Sequence, residues 1–228
     1  MKRLFYKLQK LKAYILKNIF NMYSQNSEEQ YILDYFKEKT FGRVLDVGAN
    51  DGKTFSNSLA LIERGWEAVL CEPSPIAFEK LVNLHKDTSN RVCCVMAAIG
   101  EQQGKTTLHQ SGAHLKNQSD VALLSTIHEN ETEKWKRQGV VFNDVECEVI
   151  TIDQLQQIVR VDSFDFITID CEGNDLKVLQ QIDLTNTSLV CVEWNENELI
   201  KNSIIEYCAR YGLNKVIYVT GENILIGR

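Results

Sequence analysis

Proline is nearly missing from this chain: its 228 residues contain two, Pro73 and Pro75. Histidine is little more frequent, and the four residues are scattered without forming a ligand pair with a cysteine, which argues against a zinc site. The seven cysteines are odd in number and include no C-x-x-C spacing. With Cys93 and Cys94 adjacent and several others inside apolar runs, they read as reduced core residues of a cytoplasmic protein, not as a disulfide framework. No apolar run approaches the ~18 residues that a membrane span needs. Acidic residues are absent from Met1 to Phe20, which hold six Lys or Arg; the other 208 residues carry 19 basic and 31 acidic side chains, a charge of -12. Such a body is a poor partner for a phosphate backbone, so no nucleic acid is expected.

What is present begins with V-L-D-V-G-A-N-D-G at 44–52. An apolar run ends in Asp46, turns through Gly48, Asn50, Asp51 and Gly52, and enters a segment of helical character, an order that sets backbone N–H groups around a ligand's polar end. The G-x-G-x-x-G of a diphosphate cradle is missing here, and a carboxylate stands just ahead of the glycines. After Gly65 a second strand-like run, Glu67 to Cys71, ends in Glu72 and Pro73. In a doubly wound sheet Glu72 lies beside the glycine turn, where an acid can accept both hydroxyls of a ribose. Together these residues describe a nucleoside site without a phosphate cradle, which suits S-adenosyl-L-methionine. The plainer alternative is a buried Asp capping a turn and a Glu on a loop.

The chain resembles the FkbM-type methyltransferases. The resemblance rests on D-V-G-A-N-D-G at 46–52, F-S-N-S at 55–58 followed by R-G-W at 64–66, C-E-P-S-P at 71–75, D-C-E-G-N-D at 170–175 and Y-S-Q-N-S-E-E-Q-Y-I-L at 23–33. It implies an α/β, Rossmann-like class I methyltransferase with a mostly parallel seven-stranded sheet, helices on both faces and an antiparallel closing strand. It also implies transfer to a hydroxyl oxygen of an acceptor, a sugar in a glycan or glycolipid. By the same resemblance the segment containing Gln25 closes over the amino acid end of the cofactor. The Asn-Pro-Pro-aromatic turn of amine-directed enzymes is absent, in keeping with the two prolines. Rival readings are a small-molecule O-methyltransferase and a non-catalytic protein that holds the cofactor without consuming it.

Residues 1–22 read as a basic amphipathic helix, with Leu4, Leu8, Leu11, Ile15 and Ile19 on one stripe and Arg3, Lys7, Lys10 and Lys17 elsewhere. Peripheral contact with an anionic membrane surface through 1–20 is one reading, and packing on the domain is the other. The methyltransferase domain spans 23–228. Ser27 is the expected N-cap of its first helix, and 54–64 is expected as a helix with Phe55, Leu59 and Ile62 toward the sheet. Asn57 and Ser58, in the first turns of that helix, could reach the site or simply face water. Val92 to Ile99 is expected as one continuous third strand, with Ala98 and Ile99 where the adenine would lie.

Residues 110–144 form the least regular stretch and are expected to be an acceptor-recognition insert. Asp170 ends the fourth apolar strand and is the candidate base or acceptor-orienting group beside the transferred methyl, with Glu172 assisting. His109, His114 and His128 are the alternative bases. By resemblance a glutamate often stands where this chain has Asp175, so no role is assigned to it. Asp170, Glu193 and Asn195 would project from neighbouring strand ends and could hold a divalent metal, although strand-end acids near a cationic cofactor are expected without one.

Overall fold

The computed structural model describes residues 22–112 and 122–228, so the basic segment at 1–20 and His114 lie outside the described residues. In chain order these residues form α1 (Glu28–Tyr35), β1 (Arg43–Val47), α2 (Leu59–Glu63), β2 (Glu67–Cys71), α3 (Pro75–His85), β3 (Val92–Val95), β4 (Ala98–Ile99) and β5 (Gly104–Ser111). There follow α4 (Glu129–Lys136), β6 (Phe142–Ile150), α5 (Ile152–Val159), β7 (Phe166–Ile169), α6 (Asp175–Leu179), β8 (Leu189–Glu193), α7 (Glu198–Ala209), β9 (Lys215–Val219) and β10 (Asn223–Gly227).

Seven strands make one sheet in the order β3-β2-β1-β7-β8-β10-β9, and only β10 runs against its neighbours. Alternation along the strands divides the core into two layers. Leu45, Val69, Ile167, Val190 and Ile224 pack on one face against residues of α5, α6 and α7. Val44, Ala68, Phe166, Leu189 and Leu225 pack on the other against residues of α1, α2 and α3. A sheet covered on both faces explains why its strands read as continuous apolar runs. This is the α/β architecture expected, with the reversed strand beside the last parallel one.

Helix starts follow local chemistry. Pro75 occupies the first turn of α3 behind Ser74, whose hydroxyl accepts from Ala77 N–H; Thr151 and Gln154 close a capping box on α5; and Asn197 accepts from Leu199 and Ile200 N–H at α7. Each such cap contributes roughly 1 kcal/mol. Ser27 does not act this way. Its φ is +71° and its hydroxyl makes no cap, while Ser24 Oγ accepts Glu29 N–H and the Glu28 and Glu29 carboxylates fold back on the N–H groups of Asn26 and Tyr23.

Two expected elements are shorter than the sequence pattern suggests. The helix over 54–64 is confined to α2, because Asp51 holds the N–H groups of Lys53 and Thr54 and the Thr54 hydroxyl, and Phe55 takes φ +60° in a bridge to Ser24. The third strand breaks after Val95. Ala98 and Ile99 leave the large sheet and pair with β6 in a second, three-stranded sheet, β4-β6-β5. The insert is therefore the connection of a long hairpin whose strands reach Ser111 and Phe142. The cysteines are all free thiols, but Cys93 on edge strand β3 is exposed instead of buried.

Candidate active site

A cavity of about 270 Å³ opens at the carboxyl ends of β1, β2, β7 and β8, on the side where strand order reverses. Asp46, Gly48, Asn50, Asn57, Glu72, Pro73, Ala98 and Ile99 all line it, as do Asp170 and Glu172, and Gln25 stands at its exposed margin. Glu193 and Asn195 line it from the end of β8. Asp51 does not: its carboxylate is spent inside the turn that shortens the helix.

The glycine turn is pinned to both neighbours of β1. Gly48 and Ala49 N–H donate to Cys71 O at 2.9 and 3.0 Å, and Gly48, at φ +88°, lies so close to Asp170 that a Cβ would fall 1.7 Å from its carbonyl oxygen. Glu72 closes the loop from the other side, accepting Asn50 N–H at 2.8 Å on one oxygen and Ser74 N–H at 2.7 Å on the other. A carboxylate offers about four lone-pair sites, so two remain toward the cavity. Asp46 is buried and accepts the Ser58 hydroxyl at 2.5 Å.

Beyond β7 the D-C-E-G-N-D segment is closed by its last residue. Asp175 accepts Cys171 N–H at 2.8 Å and Gly173 N–H at 3.1 Å, which explains why a short side chain serves here. Glu172, at φ +54°, is thereby presented at the cavity beside Asp170. The insert is latched to this loop: the Thr126 hydroxyl donates to Glu172 O at 2.8 Å, and the His128 ring sits where a side chain on Gly173 would lie. Leu124, Thr126, Lys134 and Trp135 reach the cavity from the insert.

None of the described histidines lines the cavity. His109 pairs with Asp144 at 2.6 Å on the hairpin and His128 packs under the loop, so neither stands where a base is needed. Ser58, expected with Asn57 near the site, does not line the cavity but bonds Asp46. The residue to which the sequence reading gave no role is Trp135, the lone aromatic of a polar helix, E-N-E-T-E-K-W-K, which was an available signal.

The site is strongly acidic. Burial first, then the charges of Asp175, Asp46, Glu28 and Glu72, raise the Asp170 carboxyl; burial and Asp170 raise Glu172 and Glu193 well above the usual range. Burial pushes Asp46 up to about 6 against the opposing Ser58 bond, and Glu72 up to about 7 against its two backbone donors. Both groups hold protons more tightly folded than unfolded. Their contribution to stability is therefore present below the ordinary carboxylate range and is lost as pH rises through about 6 and about 7. Calorimetric melting of the protein without added cofactor is expected to show roughly 2 kcal/mol more stability at pH 6 than at pH 8 from these two groups, a midpoint several degrees higher. A flat profile would mean that neither carboxylate is desolvated.

Among curated proteins no sequence matches. The crystal structure of methyltransferase FkbM from Methylobacillus flagellatus KT overlays with a TM-score of 0.50 at 15% identity, covering 83% of this chain and 44% of that one, so this chain spans less than half of that protein's length. The N-terminal domain of human METTL16 in complex with SAH (TM-score 0.48, 12% identity, 96% of this chain and 79% of that one) and precorrin-6y C5,15-methyltransferase from Geobacter metallireducens GS-15 (0.45, 10%, 90% and 88%) are further structural matches. The sequence profile of the methyltransferase FkbM domain matches residues 46–211, from the aspartate near the end of β1 to the turn after α7. On the strength of that match the chain belongs to the FkbM methyltransferase family.

Proposed function

We propose that the protein transfers a methyl group from S-adenosyl-L-methionine to a hydroxyl oxygen, the acceptor being a sugar of a glycan or glycolipid. One observation carries the reading: Asp46, the glycine turn, Glu72 and Asp170 share one cavity of a volume suited to a nucleoside. The two free lone-pair sites of Glu72 would take the ribose hydroxyls, and Ala98, Ile99 and Leu108 form an apolar wall fit for adenine. Gly48, Asn50 and Gln25 would face the amino acid end, which leaves the sulfonium toward Asp170. When bound, the cofactor supplies an already activated methyl carbon. The remaining work falls to the chain: hold the acceptor oxygen in line with that carbon, worth ~7 to 11 kcal/mol when the geometry is tight, and take its proton.

Asp170, with Glu172 beside it, is the proton acceptor in this reading. No described histidine competes, and a carboxylate with a raised pKa is a stronger base than an ordinary one. Trp135, half-buried at the cavity, offers an indole face on which a pyranose can stack. The asserted sugar class and the peripheral membrane role of residues 1–20 rest on the family resemblance and the sequence pattern.

The test is acceptor-dependent release of S-adenosylhomocysteine by the full chain, with panels of methyl glycosides, small phenols and amines. Glycoside-dependent release is expected. Cofactor bound but never consumed would instead favour a binding protein. The Glu72→Ala variant, with its fold verified by melting, is expected to bind S-adenosylhomocysteine ~1.5 to 3 kcal/mol more weakly by calorimetry. Equal affinity would remove Glu72 from the ribose position.

A further inference from the structure

The cavity is lined by more carboxyl groups than one cofactor can face. Its described lining includes Asp46, Glu72, Asp170, Glu172 and Glu193, and the one ammonium there, that of Lys134, leans toward Glu131 at 3.4 Å. S-adenosylmethionine brings one net positive charge, and its sulfonium, in the position assigned above, would face only one of these acids, Asp170. Glu172 and Glu193 stand beside Asp170 on the acceptor side. One oxygen each of Asp170, Glu172 and Glu193 lies within 4.8 Å of the others.

A second observation concerns Glu193 by itself. The residue is 7% exposed, and its Oε2 is buried with no hydrogen-bond partner. A buried carboxyl oxygen without a partner is relieved either by a proton or by a cation that faces it. Asn195, which the sequence reading placed among the ligands, lines the same cavity from the turn after β8.

We infer that Asp170, Glu172 and Glu193 form a site for one divalent cation of the magnesium, manganese or calcium class, placed to receive the hydroxyl groups of the acceptor. The inference rests on the methyl-transfer reading of this cavity. Two oxygens on opposite sides of such an ion stand roughly 4 to 5 Å apart, so three oxygens within 4.8 Å of one another are in reach of a single ion, and the donor set is oxygen alone, which suits hard cations. Three monodentate carboxylates leave positions for water or for two neighbouring hydroxyls of a sugar. Ion binding lowers the pKa of a bound hydroxyl and orients its lone pair. In the transfer the O–H bond breaks, its proton passes to the second oxygen of Asp170, an O–CH3 bond forms and the S–CH3 bond breaks, leaving neutral S-adenosylhomocysteine.

Manganese(II) alone serves as the probe, its free hexaaqua signal followed by electron paramagnetic resonance with the full chain freed of metal by chelation. One equivalent bound per chain is expected. Glu193→Gln and Glu172→Gln should each weaken that binding at least tenfold, and Glu67→Gln, in an exposed pair with Arg43, should not. S-adenosylhomocysteine affinity should stay within a factor of three in the two site variants, which also reports that they fold. Wild-type protein that binds the nucleoside but no manganese overturns the cation site and leaves methyl transfer standing. Manganese binding unchanged in both site variants also overturns it. Failure to bind S-adenosylhomocysteine at all would count against the methyl-transfer reading.

Discussion

Gly48→Ala is expected to cost on the order of 4 kcal/mol of stability and to abolish cofactor binding. The new Cβ would meet the Asp170 carbonyl at 1.7 Å, and the backbone cannot retreat, since Gly48 N–H is bonded to Cys71 O on one side and Asp170 N–H to Val47 O on the other. Relief would require β1 and β7 to part at the cavity floor. Gly65→Ala is the matched control. It also has positive φ, +99°, but nothing lies within 4 Å of the added carbon, so only the ~1 to 2 kcal/mol of left-handed strain is expected. Denaturant unfolding of the two variants beside the parent separates clash from strain. Equal, small losses would show that β1 and β7 are not locked together at Gly48.

Asp170→Asn should lower kcat by ~100- to 10,000-fold while leaving S-adenosylhomocysteine affinity within a few-fold. Its effect on stability should have the opposite sign. Asp175 raises the Asp170 carboxyl, and Asp170 in turn raises Glu172 and Glu193, so removing its charge relieves both neighbours. A higher melting point with lost turnover is the signature of a group kept for chemistry at a cost in stability. Unchanged turnover at saturating acceptor would eliminate Asp170 as base, and a lower melting point would make its role structural.

The central parallel strands were legible because each is a short apolar run with a polar residue at or next to its cavity end: Asp46, Glu72, Asp170 and Glu193. What failed to show were the places where side chains compete with backbone. Asp51 reads as a site residue of the glycine turn, but its carboxylate captures Lys53 and Thr54 N–H, outside the cavity lining and at the start of the expected helix. Ser27 has the right identity for a cap and the wrong φ, which the neighbouring carboxylates impose. The run 92–99 is uniformly apolar, and hydrophobicity alone carries no mark of a strand that changes sheets after Val95. The ring of acids beside Glu172 was only half visible, since its assembly depends on Asp175 folding the loop back on itself.

The segment ahead of α1 is stitched to the last hairpin: Asn26 bonds Glu222, Asn223 bonds Glu28, and the Tyr218 hydroxyl bonds Asn26 O. Ser24 bridges to Phe55, and Gln25 between them borders the opening. Three residues of extended chain reach about 10 Å, so Met22 is tethered within that distance of the entrance. Anything joined to the chain ahead of Met22 is thus leashed to the rim of the cavity, with residues 1–21 setting a leash of roughly 70 Å at most.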